Sequence, residues 1–474
     1  MSATLPRPAA VDAPGLSDAA ELVATSRAVD PSIWSAGAVE RLARAADHGA
    51  LVAGRERLLA ATGVAAAFSL PRGLEDAHGL AAVRAWLAAV EHQTEEAADG
   101  APSAPGPIAL GAFAFDRRAP ALLVVPAETW CRDAGGRTWL VEVRPRDPRG
   151  TGRASRAARA AGGADTADAA RAAGGADTAD AARAAGGADL RTAPDAVRLR
   201  QVPSPDEYAE AVALAVSDIR GGRLMKVVLA RMVEVQLPAP AVPSLLLGAL
   251  WGGDRVFSPF SVPTHAGRLV GASPELVVSR RGRRVTSHAF AGTVPLSEPD
   301  DDAERLFDSE KDRTEHRLVV EEIVHALERR CVGLTVPAEP TVVRLRSDAR
   351  LGTLIRGTLT TAPSDGDTAL ELLALLHPTP AVGGVARAAA LERISALEPA
   401  PRGYWAGAVG WTDGAGDGEW VLSIRSVELD GRRALVRAGA GVVAESDPRA
   451  ELAETTVKLR PVLDALWPGA SRLL

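Results

Sequence analysis

The pattern of hydrophobic and polar positions predicts both helices and strands in the first third of the chain. Hydrophobic residues recur at helical spacing over 79–92. Strand-like runs follow over 108–115, 121–125 and 138–143, and prolines and charged turns separate them. This part of the chain therefore combines one clear helix with several short strands.

The pattern is clearer after about residue 198. Ser204 and Pro205 have the N-cap and first-turn chemistry of a helix that Gly221 and Gly222 should end, and β-branched residues over 225–237 predict a strand. Strand pairs beside long, separate helices indicate the α+β fold class, not a doubly wound parallel sheet. The remaining predicted elements are strands over 268–271, 276–280, 284–290, 406–411, 419–428 and 434–443, and helices over 308–330 and 448–466.

A twelve-residue repeat interrupts the pattern. The unit RAAGGADTADAA begins at Arg159 and again at Arg171, and a partial copy begins at Arg183. The unit lacks Leu, Ile, Val and aromatic residues, so stacked copies would have no hydrophobic core to bury. We predict a low-complexity, flexible insertion over 148–197, which separates an N-terminal part over 1–147 from a C-terminal part over 198–474.

Composition narrows the classes of protein. Hydrophobic residues make up 47% of the chain and charged residues 24%, as in soluble globular proteins. The formal net charge of -6 argues against nucleic acid or an anionic membrane as the main partner. The two cysteines are too few for a disulfide framework, and neither a signal peptide nor a membrane-spanning run is apparent. We expect a cytoplasmic protein.

Carboxylates on two predicted helices form the first candidate site. Glu451, Glu454 and Lys458 share one face of the last helix, and Asp312 and Glu315 have the same three-residue spacing on the helix over 308–330. Two such helices could hold Mg²⁺, which prefers carboxylate and water oxygens. Taken alone, each acidic pair is more often an ordinary solvated helix face.

Lys226 and Glu275 are candidates for acid–base chemistry. Lys226 shares a strand face with Val228 and Ala230, and Glu275 follows a turn at the end of a strand. A partly buried lysine can act as a general base, although a solvated lysine at a strand end is the more common case. Neither residue is specific evidence by itself.

Seven segments together resemble the chorismate-utilising enzymes, which include anthranilate, aminodeoxychorismate, isochorismate and salicylate synthases. The segments occur in the family order and at plausible spacing. They are 226–231 (KVVLAR), 271–275 (GASPE), 291–293 (AGT), 309–316 (SEKDRTEH), 377–384 (HPTPAVGG), 416–425 (GDGEWVLSIR) and 438–458. The resemblance implies a single chorismate-binding catalytic domain with a large two-sheet β core and helices packed outside. Residues 1–147 would be the N-terminal part of this fold, and 198–474 its C-terminal catalytic region.

The resemblance also implies roles for the candidate residues. Glu315 and Glu454 would be direct Mg²⁺ ligands, supported by Glu451 and Asp312, and the metal would hold the ring carboxylate of chorismate. Arg425 would bind a substrate carboxylate, since its planar fork suits bidentate pairing. The other residues expected to line the substrate site, or to lie beside the metal, are Gly292, Thr293, Gly439, Gly441 and Lys458.

The branch of the family follows from three side chains. Ammonia-using members commonly carry Gln where this chain has Lys226, and aminodeoxychorismate synthases usually carry a nucleophilic Lys at the position of Ala291. Water as nucleophile remains, with Lys226 as its base and Glu275 as the acid that protonates the departing C4 hydroxyl. Salicylate synthases tend to have Thr at the position of Ala381, so isochorismate synthase is favoured and salicylate synthase is the alternative. We expect a monomer without a glutaminase subunit, and the resemblance does not distinguish menaquinone from siderophore biosynthesis.

Some positions depart from the family pattern. Arg350 stands where His is common, Trp405 replaces Tyr or Phe, and Ala289 and Phe290 replace a Pro-aliphatic pair. These changes bear on substrate fit more than on reaction class. They leave open a second class of function, a catalytically weak homologue that binds chorismate without converting it.

Overall fold

The computed structural model describes residues 19–94, 104–146, 197–252, 256–296, 303–345, 348–360 and 367–474. The predicted insertion over 148–197 lies outside the described residues, apart from Val197.

The described chain forms nine α-helices, 23 strands and two short 3₁₀ helices. The helices are α1 (Pro31–His48), α2 (Ala77–Ala89), α3 (Pro205–Arg220), α4 (Pro243–Trp251), α5 (Arg305–Asp308), α6 (Glu310–Glu328), α7 (Ala369–Leu376), α8 (Arg387–Leu397) and α9 (Pro448–Leu466), and the 3₁₀ helices span Gly73–Glu75 and Ala470–Leu473. The strands are β1 (Leu22–Val29), β2 (Ala50–Ala53), β3 (Arg57–Thr62), β4 (Ala66–Leu70), β5 (Glu91–Thr94), β6 (Ile108–Phe113), β7 (Ala121–Val125), β8 (Glu128–Asp133), β9 (Thr138–Pro145), β10 (Arg198–Val202), β11 (Lys226–Gln236), β12 (Ser258–Thr264), β13 (Gly267–Ser273), β14 (Leu276–Arg281), β15 (Arg284–Pro295), β16 (Cys331–Thr335), β17 (Thr341–Arg344), β18 (Asp348–Leu359), β19 (Gly384–Val385), β20 (Ala408–Asp413), β21 (Gly418–Leu422), β22 (Ser426–Asp430) and β23 (Arg433–Val442).

The strands form two large sheets, which confirms the predicted α+β class with a two-sheet core. The first sheet has the order β10-β11-β23-β22-β13-β12-β2-β3-β8-β9-β1-β5, with β19 paired to β11. The second has the order β16-β18-β15-β14-β21-β20-β6-β7-β4, with β17 paired to β18. Both sheets combine strands from before and after the predicted insertion.

The helix that begins after Ser204 has the predicted boundaries for the predicted reason. Ser204 accepts a hydrogen bond from the Glu207 N–H, and the Glu207 side chain accepts one from the Ser204 N–H, so the two residues form a capping box. Tyr208, Val212 and Ile219 lie on the buried face of α3. The buried Tyr208 hydroxyl donates to the Leu229 carbonyl, which ties α3 to β11.

The pairing of β11 with β23 fixes the geometry of the first sheet near the candidate residues. The antiparallel register runs from Val227 opposite Val442 to Gln236 opposite Arg433, and it places Gly441 opposite Val228. At its start β11 also pairs with β19 through Lys226 and Val385. Helix α9 packs against β23 and α6 packs against β15, so both acidic helices lie over strands that carry predicted site residues.

The prediction of one strand over 419–428 was wrong. The chain forms β21 in the second sheet and β22 in the first, and it crosses between the sheets at Ser423, Ile424 and Arg425. Arg425 has a φ of 52°, a left-handed conformation that is unusual for a residue with a side chain. Hydrophobic residues lie on both sides of the crossing, and its polar residues Ser423 and Arg425 are themselves buried, so the sequence pattern gave no clear sign of the break.

Within the described parts of the chain, none of the helices is both long enough and hydrophobic enough to cross a membrane.

Candidate active site

One pocket lies where several of these elements meet. Eight of the twelve candidate residues line it: Glu275, Gly292, Thr293, Glu315, Arg425, Gly439, Gly441 and Lys458. Lys226, Asp312, Glu451 and Glu454 do not line it. Lys226 contacts Glu315 and Glu454 contacts Lys458, whereas Asp312 and Glu451 lie about one helical turn before Glu315 and Glu454. The elements that supply the lining are far apart in sequence, and the sheet pairings bring them together.

Two glycines let the backbone approach helix α6. A Cβ atom at Gly441 would lie 2.0 Å from Oε1 of Glu315, and a Cβ atom at Gly292 would lie 2.9 Å from the Cβ of Asp312. Gly292 also has a φ of 72°, which glycine adopts without strain. These positions therefore bring β23 and β15 against the carboxylates of α6.

Glu275 lies in the short connection between β13 and β14 and is almost fully buried. Its main-chain N–H donates to Ser273 Oγ at 3.2 Å, and its carbonyl accepts from the Leu422 N–H at 3.0 Å. Burial raises the pKa of Glu275 to about 7, although the nearby charges of Arg350, Lys226 and Lys458 act to lower it. Glu275 is therefore a carboxyl group that can carry a proton near neutral pH.

Lys226 reaches the pocket wall through Glu315. Its side chain is fully buried, and its Nζ lies 3.1 Å from Glu315 Oε1. Burial alone would raise the pKa of Glu315, but Lys226, Lys311 and Lys458 outweigh it, so that pKa lies below its ordinary value. The contact is an ion pair without normal hydrogen-bond geometry, and Nζ has no hydrogen bond to any other described residue.

Two carboxylates of α9 contact a second lysine, Lys311 of α6, which the sequence did not indicate as a site residue. Lys311 Nζ lies 2.6 Å from Glu451 Oε1 and 4.0 Å from Glu454 Oε2. Glu454 also accepts from Lys458 Nζ at 2.6 Å, and Lys458 donates to the Gly439 carbonyl at 3.0 Å. The signal for Lys311 was its position in the 309–316 segment, one residue before Asp312.

Burial and mutual repulsion act on the acidic residues of this cluster. Burial, followed by the charge of Glu454, raises the pKa of Glu451 to about 7. Burial also raises the pKa of Asp312. A cation beside these groups would stabilise their charged forms.

These residues fit a hard divalent cation in their chemistry, though not in their present arrangement. Among the residues that the structure describes, no three His, Cys, Asp or Glu side chains are placed so that they could hold a metal ion. The carboxylates contact lysine ammonium groups instead, and the buried oxygens of Glu451 have no hydrogen bond of normal geometry in the described chain. An all-oxygen donor set with excess buried negative charge is what Mg²⁺ prefers.

Arg425 shares a carboxylate with another arginine. Arg425 Nη2 donates to Asp348 Oδ2 at 2.6 Å, and Arg425 Nη1 donates to the Lys458 carbonyl at 2.9 Å. Arg350 Nε donates to the same Asp348 oxygen at 3.0 Å. Burial lowers the pKa of Arg425 to about 10 despite the opposing effect of Asp348, so Arg425 remains charged at neutral pH.

Neither Asp348 nor Arg350 was selected as a site residue from the sequence. The departure from His at position 350 was the available signal, whereas nothing in the sequence marked Asp348. The rest of the pocket wall is mostly hydrophobic and comprises Val228, Phe290, Ala291, Ala381, Val382, Trp405, Ile424 and Ala438, together with Arg437.

The sequence over 16–467 matches the chorismate binding enzymes, and the chain belongs to that family. It is 45% identical over 280 residues to a MenF protein of Mycobacterium tuberculosis, a match that covers 56% of this chain and 74% of the relative. It is 40% identical over 281 residues to the isochorismate synthase DhbC of Bacillus subtilis, covering 56% and 69%. The solved structure of a DhbC protein from Bacillus anthracis superposes with a TM-score of 0.68 at 30% identity, covering 90% of this chain and 99% of that one.

Proposed function

We propose that this chain is a magnesium-dependent isochorismate synthase, which converts chorismate to isochorismate. The observation that carries the proposal is the position of Glu275, a buried carboxyl group with a pKa of about 7 in the wall of a pocket that also presents the guanidinium of Arg425. A dicarboxylate substrate needs a cationic wall, and the departure of a hydroxyl group needs an acid that holds its proton at neutral pH. Relatives that carry the name isochorismate synthase support the same assignment.

In the proposed reaction one water molecule enters and one leaves. Water adds at C2 of the ring and loses a proton to Lys226, which must act as the free amine and not in the ion-paired form that contacts Glu315 in the structure. The two ring double bonds shift, and the C4–oxygen bond breaks while Glu275 gives its proton to the departing hydroxyl. Substrate and product are therefore isomers, and no oxidant or reductant is needed.

Water is the proposed nucleophile because of two positions in the pocket region. Lys226 occupies a place where ammonia-using relatives commonly have Gln, and Ala291, which lines the pocket, cannot act as the nucleophile that aminodeoxychorismate synthases use. The small Ala381 side chain, also in the lining, favours release of isochorismate over the further elimination that yields salicylate.

The proposed metal site consists of Glu315 and Glu454, with Glu451 and Asp312 supporting them. Bound there, Mg²⁺ would hold the ring carboxylate of chorismate and stabilise negative charge on it. Lys311 and Lys458 contact this cluster in the structure and offset part of its charge. Main-chain surface for the bound ring would come from two strands, β23 with Gly439 and Gly441 and β15 with Gly292 and Thr293.

The test is incubation of the purified protein with chorismate and Mg²⁺, with the products separated by chromatography. Isochorismate is the expected product. Salicylate and pyruvate as the main products at neutral pH would move the protein to the salicylate branch, and anthranilate formed from added ammonia would contradict the role of water. Binding of chorismate without conversion would show a non-catalytic homologue.

A further inference from the structure

Arg350 is buried in β18 and yet lines the pocket. Its guanidinium contacts Asp348 Oδ2 through Nε and Nη2, both at 3.0 Å. Within the described chain its Nη1 makes no hydrogen bond and is not sealed from the pocket. The contact with Asp348 therefore leaves the Nη1 donor of Arg350 unused.

The positive charges of the pocket wall near Arg350 are not each paired with a carboxylate of their own. The other two cations of the lining have their own carboxylates, because Lys458 pairs with Glu454 at 2.6 Å and Arg437 pairs with Glu428 at 2.7 Å. Arg350 and Arg425 share the single carboxylate of Asp348. Glu275 also lies near Arg350, but the proposed reaction uses it in its protonated form. In that form, two guanidinium groups with one carboxylate between them leave one positive charge for a ligand.

The acidic cluster is carried by other elements than the two arginines, although Arg425 meets α9 at the Lys458 carbonyl. Its members belong to α6 and α9, whereas Arg350 belongs to β18 and Arg425 to the crossing between the sheets. A ligand with two carboxylates could therefore place one near the acidic cluster, through a cation, and the other against the two arginines. Guanidinium groups are suited to binding the ligand's second carboxylate, because they bind a carboxylate with two parallel hydrogen bonds.

We propose that Arg350 is a specificity-determining residue that binds, together with Arg425, the carboxylate of the enolpyruvyl side chain of chorismate. This inference rests on the proposed function, which supplies the substrate. Asp348 orients both guanidinium groups by holding Nε and Nη2 of Arg350 and Nη2 of Arg425 on one oxygen. A histidine at position 350 would offer at most two N–H donors and no permanent charge, so the arginine makes this pocket more selective for a substrate with two negative charges.

The experiment compares two ligands of different charge in the Mg²⁺-loaded protein. Chorismate carries the side-chain carboxylate, and 4-hydroxybenzoate carries only a ring carboxylate. Dissociation constants are measured by calorimetry in a Glu275→Gln background, in which turnover is expected to be slow. Arg350→Gln should weaken chorismate binding by about 10- to 100-fold and 4-hydroxybenzoate binding by less than about threefold, since a charge-assisted hydrogen bond is lost only for chorismate.

Two further variants make the result decisive. Arg350→Lys retains the charge without the fork, so it should bind chorismate with intermediate affinity, and it serves if the Gln variant does not fold. Arg280→Gln removes a fully buried, ion-paired guanidinium that does not line the pocket, and it should change neither constant by more than about twofold. Equal losses for both ligands in the Arg350 variants, or no loss for chorismate, would overturn the proposal. The product formed by the unmodified protein tests the proposed function separately, and failure of that protein to bind chorismate would remove both.

Discussion

The ammonium nitrogen of Lys226 lies 3.1 Å from Glu315 Oε1, and the two side chains are 0% and 9% exposed. A buried cation in contact with a buried carboxylate is a strongly coupled pair, because removing either partner leaves the other without compensation. The same pair joins the proposed base to the proposed metal site. Changes at Lys226 are therefore expected to affect chemistry and stability together, and the two effects must be measured separately.

Lys226→Ala should reduce turnover by about 10²- to 10⁴-fold, the usual contribution of a general base. The loss should be similar with chorismate or isochorismate as the starting compound, since the same group acts in both directions. The measurement is the initial rate in each direction at a temperature well below thermal unfolding. Near-normal rates in both directions would show that another group is the base.

Met225→Ala is the matched control for Lys226. Met225 immediately precedes Lys226 and its side chain is 54% exposed, so its removal should leave turnover within about twofold. A large loss in this control would mean that any change at the start of β11 disturbs the site. The effect of Lys226→Ala would then carry no information about proton transfer.

Glu275→Gln should abolish most turnover and yet stabilise the fold at high pH. The folded-state pKa of about 7 lies above the ordinary value of 4.5, so the carboxyl group contributes less stability as pH rises from about 4.5 to 7. Gln resembles the protonated acid and does not ionise. Denaturant unfolding should therefore show the variant more stable than the unmodified protein at pH 8, by on the order of 2–3 kcal/mol, and about equally stable at pH 4.5.

The pH dependence of turnover should follow the protonation of Glu275. Glu275 must be protonated to assist departure of the C4 hydroxyl, so the rate from chorismate should fall as pH rises above about 7. A rate that continues to rise through pH 9, or a Gln variant that is equally destabilised at pH 4.5 and pH 8, would argue against Glu275 as the acid.

Metal dependence is expected at the carboxylates of α6 and α9. A chelator should abolish turnover, and added Mg²⁺ should restore it and raise the unfolding temperature of the unmodified protein by mass action. Glu454→Gln should lose both responses. Glu445→Gln changes an exposed carboxylate shortly before the same helix and should retain both. Full activity of Glu454→Gln after chelation would exclude the proposed site.

Local sequence patterns predicted the elements whose cause is local. The capping box at Ser204 and Glu207 and the hydrophobic face of α3 depend on residues a few positions apart, and this helix was predicted correctly. The crossing at Arg425 depends on which sheet each side of it joins. Contacts between distant segments decide that, and the local pattern of hydrophobic and polar residues over 419–428 does not record them.

The candidate site was likewise predictable where it depends on local spacing, and not where it depends on contacts between distant residues. Spacing within one helix placed Glu451, Glu454 and Lys458 on a common face, and Lys458 Nζ does contact Glu454. The sharing of Asp348 by Arg350 and Arg425 joins residues 77 positions apart in sequence. Motif resemblance could not indicate it, because position 350 departs from the family pattern and position 348 lies outside the matching segments.

Gly441→Ala should damage the site while sparing the fold. Gly441 lies in β23, where an added Cβ atom would lie 2.0 Å from Glu315 Oε1, so the carboxylate must move. Glu315 is buried and paired with Lys226, so the movement would disturb the proposed metal ligand and the proposed base at once. We expect turnover to fall by at least about tenfold and the Mg²⁺ concentration needed for half-maximal activity to rise.

Gly248→Ala provides the comparison for this substitution. Gly248 lies in α4, and a Cβ atom there would meet nothing within 4 Å. Alanine in a helix is favoured over glycine by about 0.5–1 kcal/mol, so this variant should be slightly more stable and fully active. The two variants add the same methyl group, and the distance to Glu315 is what distinguishes their expected effects on catalysis. If Gly441→Ala retained normal turnover and normal Mg²⁺ response, close packing of β23 against Glu315 would be unnecessary for the site to work.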